Sequence, residues 1–197
     1  MSLAETLQKP ITAEMLMEMP DDGVEREIIN GELVERRSKP GDPPMTRRNW
    51  DHSRIEAAIA KILGFWSDAQ PKPRGKVLGG EAGFRLKPDP ETFVGIDVAY
   101  VSAEMVARRN PKSKFGDEPP VLAVEILSPS DQHEDVVNKV KLYLEVGTVV
   151  WVVDPDFHIV TVHQPGRPIE VYREGQELAG DPYLPGFVAR VDSIFEA

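Results

Sequence analysis

Val121-Leu122-Ala123-Val124-Glu125-Ile126-Leu127-Ser128 is the stretch on which the fold turns. It is an almost uninterrupted apolar run, short enough for a strand buried in a sheet. Behind it, Val136, Val140 and Leu144 recur at helical spacing, with Val137 alongside, and predict a helix from about Asp131 to Val146. Ser128 or Ser130 is placed to cap its start, and Gly147 to close its end. Residues 149–155, VVWVVDP, form a second buried strand and complete a β-α-β unit.

Working outward, FVGIDVAYVS (93–102) is a strand, preceded by KVLGG (76–80) and GFRL (83–86) as an expected pair. A basic loop, RRNPKSKFGDEPP (108–120), separates them from the β-α-β unit. Further upstream, Ile55, Ile59, Ile62, Leu63 and Trp66 mark one face of a helix from Arg48 to about Asp68. The Pro- and Gly-rich residues 38–46 read as a loop, and EREIINGELVERR (25–37) as a hairpin turning at Asn30-Gly31. A short helix near Thr12 to Met19 opens the chain, capped by Thr12 and stopped by Pro20. Downstream, HIVTVHQPG (158–166) and IEVYRE (169–174) extend the sheet, and residues 184–195 pack back on the core. Three strands followed by β-α-β, with helices before and between, predict a mixed α/β sheet covered by helices. One domain is expected over 1–197, with 1–46 as a helix and hairpin extension and 47–197 as the core.

Composition narrows the chemistry. The chain has no cysteine, so disulfides, thiolate metal sites and cysteine nucleophiles are excluded. No apolar run approaches a membrane span, and the first residues lack a secretory signal, so a cytoplasmic protein is the expectation. The net charge of −10 is unfavourable for handling nucleic acid, but it is uneven. Residues 1–35 carry −7, residues 36–87 carry +7 and residues 88–197 carry −10. The middle segment is either an electrostatic footprint for an anionic partner or a solvated face.

Two residues are physically out of place. Glu125 and Asp97 each sit inside an apolar strand, where a carboxylate needs a partner or a metal. Carboxylates on neighbouring strands suit a hard cation such as magnesium, which needs only one or two of them. The bland alternative is an ion pair or a strand-end charge facing water. In Asp135-x-x-x-Lys139-x-x-x-Tyr143 the four-residue steps put all three on one side of the predicted helix. Lys139 and Lys141 lie about 100° to either side of Val140, so periodicity does not choose between them. The bland alternative for either is an edge lysine that lays its stem over apolar surface.

The ordered series EIINGELVE, DVAYV, VEILSPSD, D-x-x-x-K-x-x-x-Y-x-x-x-G and WVVDP resembles the Uma-two family of proposed restriction endonucleases, within the PD-(D/E)XK nuclease superfamily. The resemblance runs from about Glu25 to Phe195. It implies a restriction-endonuclease-like α/β fold with an N-terminal hairpin extension. It also implies Asp97 and Glu125 as ligands of magnesium, or of manganese in its place, with the Ile126 carbonyl as a third. Lys139 is implied as the catalytic lysine, displaced from the strand to the helix. Glu27 keeps an acidic position of the family's first hairpin, and His52 matches a histidine on its helix; both join the candidate catalytic set. The implied partners are nucleic acid, DNA first, and a second copy of the chain. Arg47, Arg48, Arg54 and Arg74, or the 108–114 loop, are candidates for holding phosphates. His133, His158 and His163 have no metal-ligand spacing.

The chain departs from the pattern in places. Ile96 stands where the superfamily has proline, and Leu127 where it has lysine, so the motif depends on Lys139. The hairpin reads Arg26-Glu27-Ile28-Ile29-Asn30-Gly31-Glu32, and the loop from Gly147 to Trp151 is about one residue short. Two other functions stay open: a nuclease fold without catalysis that binds or assembles, and a hydrolase of a smaller phosphodiester. DNA or RNA preference and sequence specificity are not legible.

Overall fold

A computed structural model of the chain describes residues 11–20, 22, 24–36, 49–129 and 131–196. Helix α1, Ala13–Met17, starts where the Thr12 hydroxyl accepts the Met15 N–H. Strands β1 (Glu25–Ile29) and β2 (Glu32–Arg36) form the hairpin, with φ of 50° at Asn30 and 85° at Gly31. Positive φ at both turn residues is the backbone that Asn-Gly tolerates best. The loop at 38–46, with Arg47 and Arg48, lies outside the described residues. Helix α2 runs over Trp50–Ala69, its first turn closed by the Asn49 side chain accepting the His52 N–H at 2.7 Å. Ile55, Ile59 and Leu63 are buried on one face, each worth about 1.5–3 kcal/mol relative to exposure.

KVLGG and GFRL are not a pair, which corrects the sequence reading. They are two halves of one strand, β3 (Lys76–Pro88), and both pair with β4 (Glu91–Val101). The apparent turn is a bulge between Gly79 and Ala82, where Gly80 (φ 76°) and Glu81 (φ 55°) take left-handed backbone. A bulge consumes turn-like residues without ending the strand. A short helix that the sequence reading missed, α3 (Ala103–Arg108), follows, capped by Ser102.

Strand β5 (Leu122–Ile126) and strand β6 (Val149–Asp154) are parallel, in register from Leu122↔Val149 to Ile126↔Val153. The helix between them, α4, covers His133–Glu145. Its cap differs from expectation: Gln132 holds the cap position without a side-chain bond, and Ser128 instead donates its N–H to the Asp131 carboxylate. Ser130 lies outside the described residues. The buried face also differs, because Val137 is exposed while Lys139, Val140, Leu142 and Tyr143 are buried. The face that meets the sheet is centred nearer Tyr143 than the apolar pattern alone implied, because a lysine shares it.

Strands β7 (Ile159–His163) and β8 (Glu170–Arg173) complete a sheet in the order β2-β1-β4-β5-β6-β7-β8, with β3 on the other edge of β4. The tail folds back as a separate two-stranded sheet, β9 (Glu177–Ala179) with β10 (Val188–Arg190), and helix α5 (Asp192–Phe195). One core cluster joins Ile55, Ile59 and Leu63 of α2 to Val98, Val124 and Trp151 of the sheet and to Ile194 and Phe195 of α5. A second joins Val140 and Tyr143 of α4 to Ile96, Ala123, Val150 and Val152. The result is a mixed α/β sheet flanked by helices. Among the described residues, no helix is long and apolar enough to cross a membrane.

Candidate active site

The site follows from a fork in the sheet. Strand β3 occupies one edge of β4 from end to end. On the other edge, β5 pairs with residues 98–100 and β1 pairs at Ile28↔Phe93. Between these two attachments β1 and β5 diverge, and the edge of β4 at residues 94–97 faces the opening. The Gly95 carbonyl is directed there because its partner on β3, Gly83, is turned outward to bond with Gly116. Where the next ladder bond would form, the Asp97 side chain replaces it: Oδ2 accepts the Ile126 N–H at 2.8 Å. Asp97 Oδ1 faces His52 Nε2 at 3.1 Å, and both side chains are buried.

Helix α4 supplies the cation. Lys139 Nζ donates to the Gly95 carbonyl at 2.8 Å and to Glu125 Oε2 at 2.9 Å, and lies 3.0 Å from Glu27 Oε1. Lys141 is exposed, as is Asp135. Tyr143, one turn beyond Lys139, donates its hydroxyl to Glu125 Oε1 at 2.5 Å. Burial is the main reason that the Glu125 carboxyl is pushed up to about 7; the Asp97 charge adds to the rise, while Lys139 and the Tyr143 bond oppose it. Tyr143 is held well above its ordinary value by the same burial and by Glu125, so it stays a donor.

The profile of a family described as "Putative restriction endonuclease", Uma2, matches residues 13–192. The chain belongs to the Uma2 family. A crystal structure described as "a putative nuclease belonging to DUF820 from Anabaena variabilis ATCC 29413" has the same fold, with a TM-score of 0.73 and 19% identity. The match covers 95% of this chain and 98% of that one. No curated protein matches the sequence.

In this Uma2 chain, Glu27, Asp97, Glu125, Ile126, Asp131 and Lys139 share the lining of one concavity of about 280 Å³. Among the described residues, no three His, Asp or Glu form a metal cage. Magnesium does not require one, because it keeps several waters and takes one or two carboxylates. Each oxygen of Asp97 and Glu125 accepts a hydrogen bond, yet a carboxylate has about four lone-pair sites. Ile126, the last residue of β5, turns its amide to Asp97 and lines the same concavity. Two carboxylates at one opening fit a hard cation.

The remaining candidates lie elsewhere or are engaged. Arg54 donates to the Phe195 carbonyl at 2.7 Å, tying α2 to the tail, and Arg74 bonds Gln70 and Asp68. In the 108–114 loop, Arg108 pairs with Glu118 and Arg109 bonds the Ser113 carbonyl. His158 pairs with Glu174 and stacks on Phe195, and burial lowers His163 from its ordinary value. Neither touches the fork, and His133 is exposed at the start of α4. The sequence reading named Tyr143 only as part of a spacing and did not foresee the Gly95 carbonyl. The Tyr143 signal was available: an aromatic hydroxyl one turn from Lys139 must find a partner when buried.

Proposed function

We propose that this Uma2 chain is a metal-dependent endonuclease that hydrolyses nucleic-acid phosphodiesters at the fork of β4, with DNA as the first substrate. The observation that supports it is the convergence of Asp97, Glu125 and Lys139 at an opening where the ladder has been given up. Asp97, Glu125 and the Ile126 carbonyl would hold magnesium, or manganese in its place. Magnesium bound there supplies Lewis-acid polarisation of the scissile phosphate and a more acidic water. The chain's own residues do the rest. Lys139, whose three N–H groups face Gly95, Glu125 and Glu27, would stabilise charge developing on the phosphate through its ammonium charge. Glu27 holds that ammonium in place. Tyr143 restrains one oxygen of Glu125 and leaves its second lone pair for a cation. No covalent protein intermediate is required.

A second reading has its own support. Lys139 already pairs with both Glu27 and Glu125, so the cluster also makes sense as a buried ion network in a binding or assembly module. A magnesium-dependent cleavage screen over single- and double-stranded DNA and RNA separates the two, run beside Glu125→Gln and Asp97→Ala. For the enzyme, Glu125→Gln lowers the rate by roughly 10²–10³-fold with the fold retained. Absence of cleavage by the wild type on every substrate favours the module, and equal rates for wild type and Glu125→Gln remove Glu125 from the site. A cytoplasmic location and a homodimer belong to the same proposal, the dimer matching the two strands of a duplex.

A further inference from the structure

We infer that His52 is a positioning residue that, as its Nε2–H tautomer, fixes the Asp97 carboxylate at the fork, and that it does not take the proton from the attacking water. The inference rests on the metal-site reading above. His52 is the fourth residue of Asn49-Trp50-Asp51-His52, and the Asn49 cap pins its backbone at 2.7 Å. Its ring is 2% exposed, and Nε2 lies 3.1 Å from Asp97 Oδ1. An ionised carboxylate only accepts hydrogen bonds, so Nε2 must be the nitrogen that carries the proton. Nδ1 is buried and has no hydrogen-bond partner among the described residues. A proton there would be an unsatisfied buried donor, which costs about 1–3 kcal/mol.

Both ring nitrogens are therefore accounted for without substrate. Nε2 faces a carboxylate, Nδ1 is buried without a hydrogen-bond partner among the described residues, and His52 is not among the residues that line the concavity. A general base must come within hydrogen-bond reach of the proton it abstracts, and nothing in this geometry lets His52 do so. What it does is restrain Asp97. With Oδ2 held by the Ile126 amide and Oδ1 by His52, the carboxylate plane cannot rotate, and the remaining lone pairs stay aimed at the opening. Partners of this kind, which hold a ligand rather than bind the metal, typically change metal affinity by 10–100-fold when removed.

Two near-isosteric substitutions test this on the full chain. The amide nitrogen of glutamine stands as many bonds from Cα as His Nε2, whereas that of asparagine matches Nδ1. Titration calorimetry with Mn²⁺ alone, with thermal unfolding on the same samples, should find His52→Gln within about threefold of the wild type. His52→Asn should bind about 10–100-fold more weakly. Nitrogen-correlated NMR of the metal-free protein should show His52 as the Nε2–H tautomer. Equal Mn²⁺ affinity for wild type and His52→Asn, or an Nδ1–H tautomer, overturns the inference while leaving the metal site standing. Loss of affinity in His52→Gln equal to that in His52→Asn also overturns it. Failure of the wild type to bind Mn²⁺ overturns the metal-site reading, and this inference with it.

Discussion

The two halves of β4 differ in what covers their second edge. Residues 98–100 lie between β3 on one edge and β5 on the other, and all three are buried and uncharged. Residues 94–97 keep β3 but have given up the second edge, and here stand Asp97 and the Gly95 carbonyl, which accepts from Lys139 instead of a strand. Strand β5 repeats the contrast, with Leu122, Ala123 and Val124 in the ladder and Glu125 just past it. Polar groups are tolerated where the ladder opens, because backbone amides and carbonyls released from pairing can satisfy them. The closed half supplies stability, and the open half holds the chemistry.

If that division is right, the largest stability loss comes from the closed half. Trp151→Ala, which removes a side chain 2% exposed on the strand beside β5, should cost about 3–5 kcal/mol in urea unfolding. A loss below about 1 kcal/mol would mean that stability does not reside there.

The open half should respond to charge instead. Lys139→Met leaves Glu27 and Glu125 without their shared cation and should cost about 3–5 kcal/mol at pH 8. The cost should shrink on acidification, and the sign follows from Glu125. Its folded value, about 7, lies above the ordinary 4.5, so the fold disfavours the ionised form. That penalty is complete above pH 7 and disappears as pH falls toward 4.5, so stability rises on acidification through that window. Unfolding at pH 8 and pH 5.5 should show a larger gain for Lys139→Met than for the wild type. Equal gains would break the assignment of Lys139 as the group that holds Glu125 ionised.

Tyr143→Phe is a milder probe of the same half. It removes a donor from the Glu125 carboxylate and should cost about 1.5–3 kcal/mol, the range for hydrogen bonds to charged groups. It should also weaken Mn²⁺ binding by about tenfold. Unchanged affinity, measured by calorimetry, would reduce Tyr143 to a packing residue. The smallest effect belongs to Lys141→Ala. That lysine is exposed two residues from Lys139, and its loss should stay within about 0.5 kcal/mol with cleavage unaltered. A large effect there would mean that the wrong lysine has been assigned.

Much was legible in the chain before any coordinates. Asn30-Gly31 announced the hairpin because few residue pairs accept positive φ twice. The β-α-β unit was visible from Val121 to Asp154, since apolar strands and a periodic helix are local patterns. Where local pattern misled, a local event imitated another: Gly79-Gly80 looked like a turn and is a bulge inside β3. Asp97 and Glu125 were conspicuous for the same local reason, as carboxylates among apolar neighbours.

Sequence by itself therefore determined most of the elements and their order, helix α3 and the continuity of β3 excepted, and the oddity of two carboxylates. Spacing left Lys139 and Lys141 open and the resemblance pointed to Lys139; the tertiary structure brings Lys139 to the carboxylates and parts β1 and β5 where Asp97 stands. It also decided that His52, 45 positions away, faces Asp97, and that Glu27 reaches Lys139. The reason is physical. Periodicity places a side chain on a face of its own element, but Lys139 and Lys141 flank the same stripe, and only the docking of α4 on the sheet buries one and exposes the other.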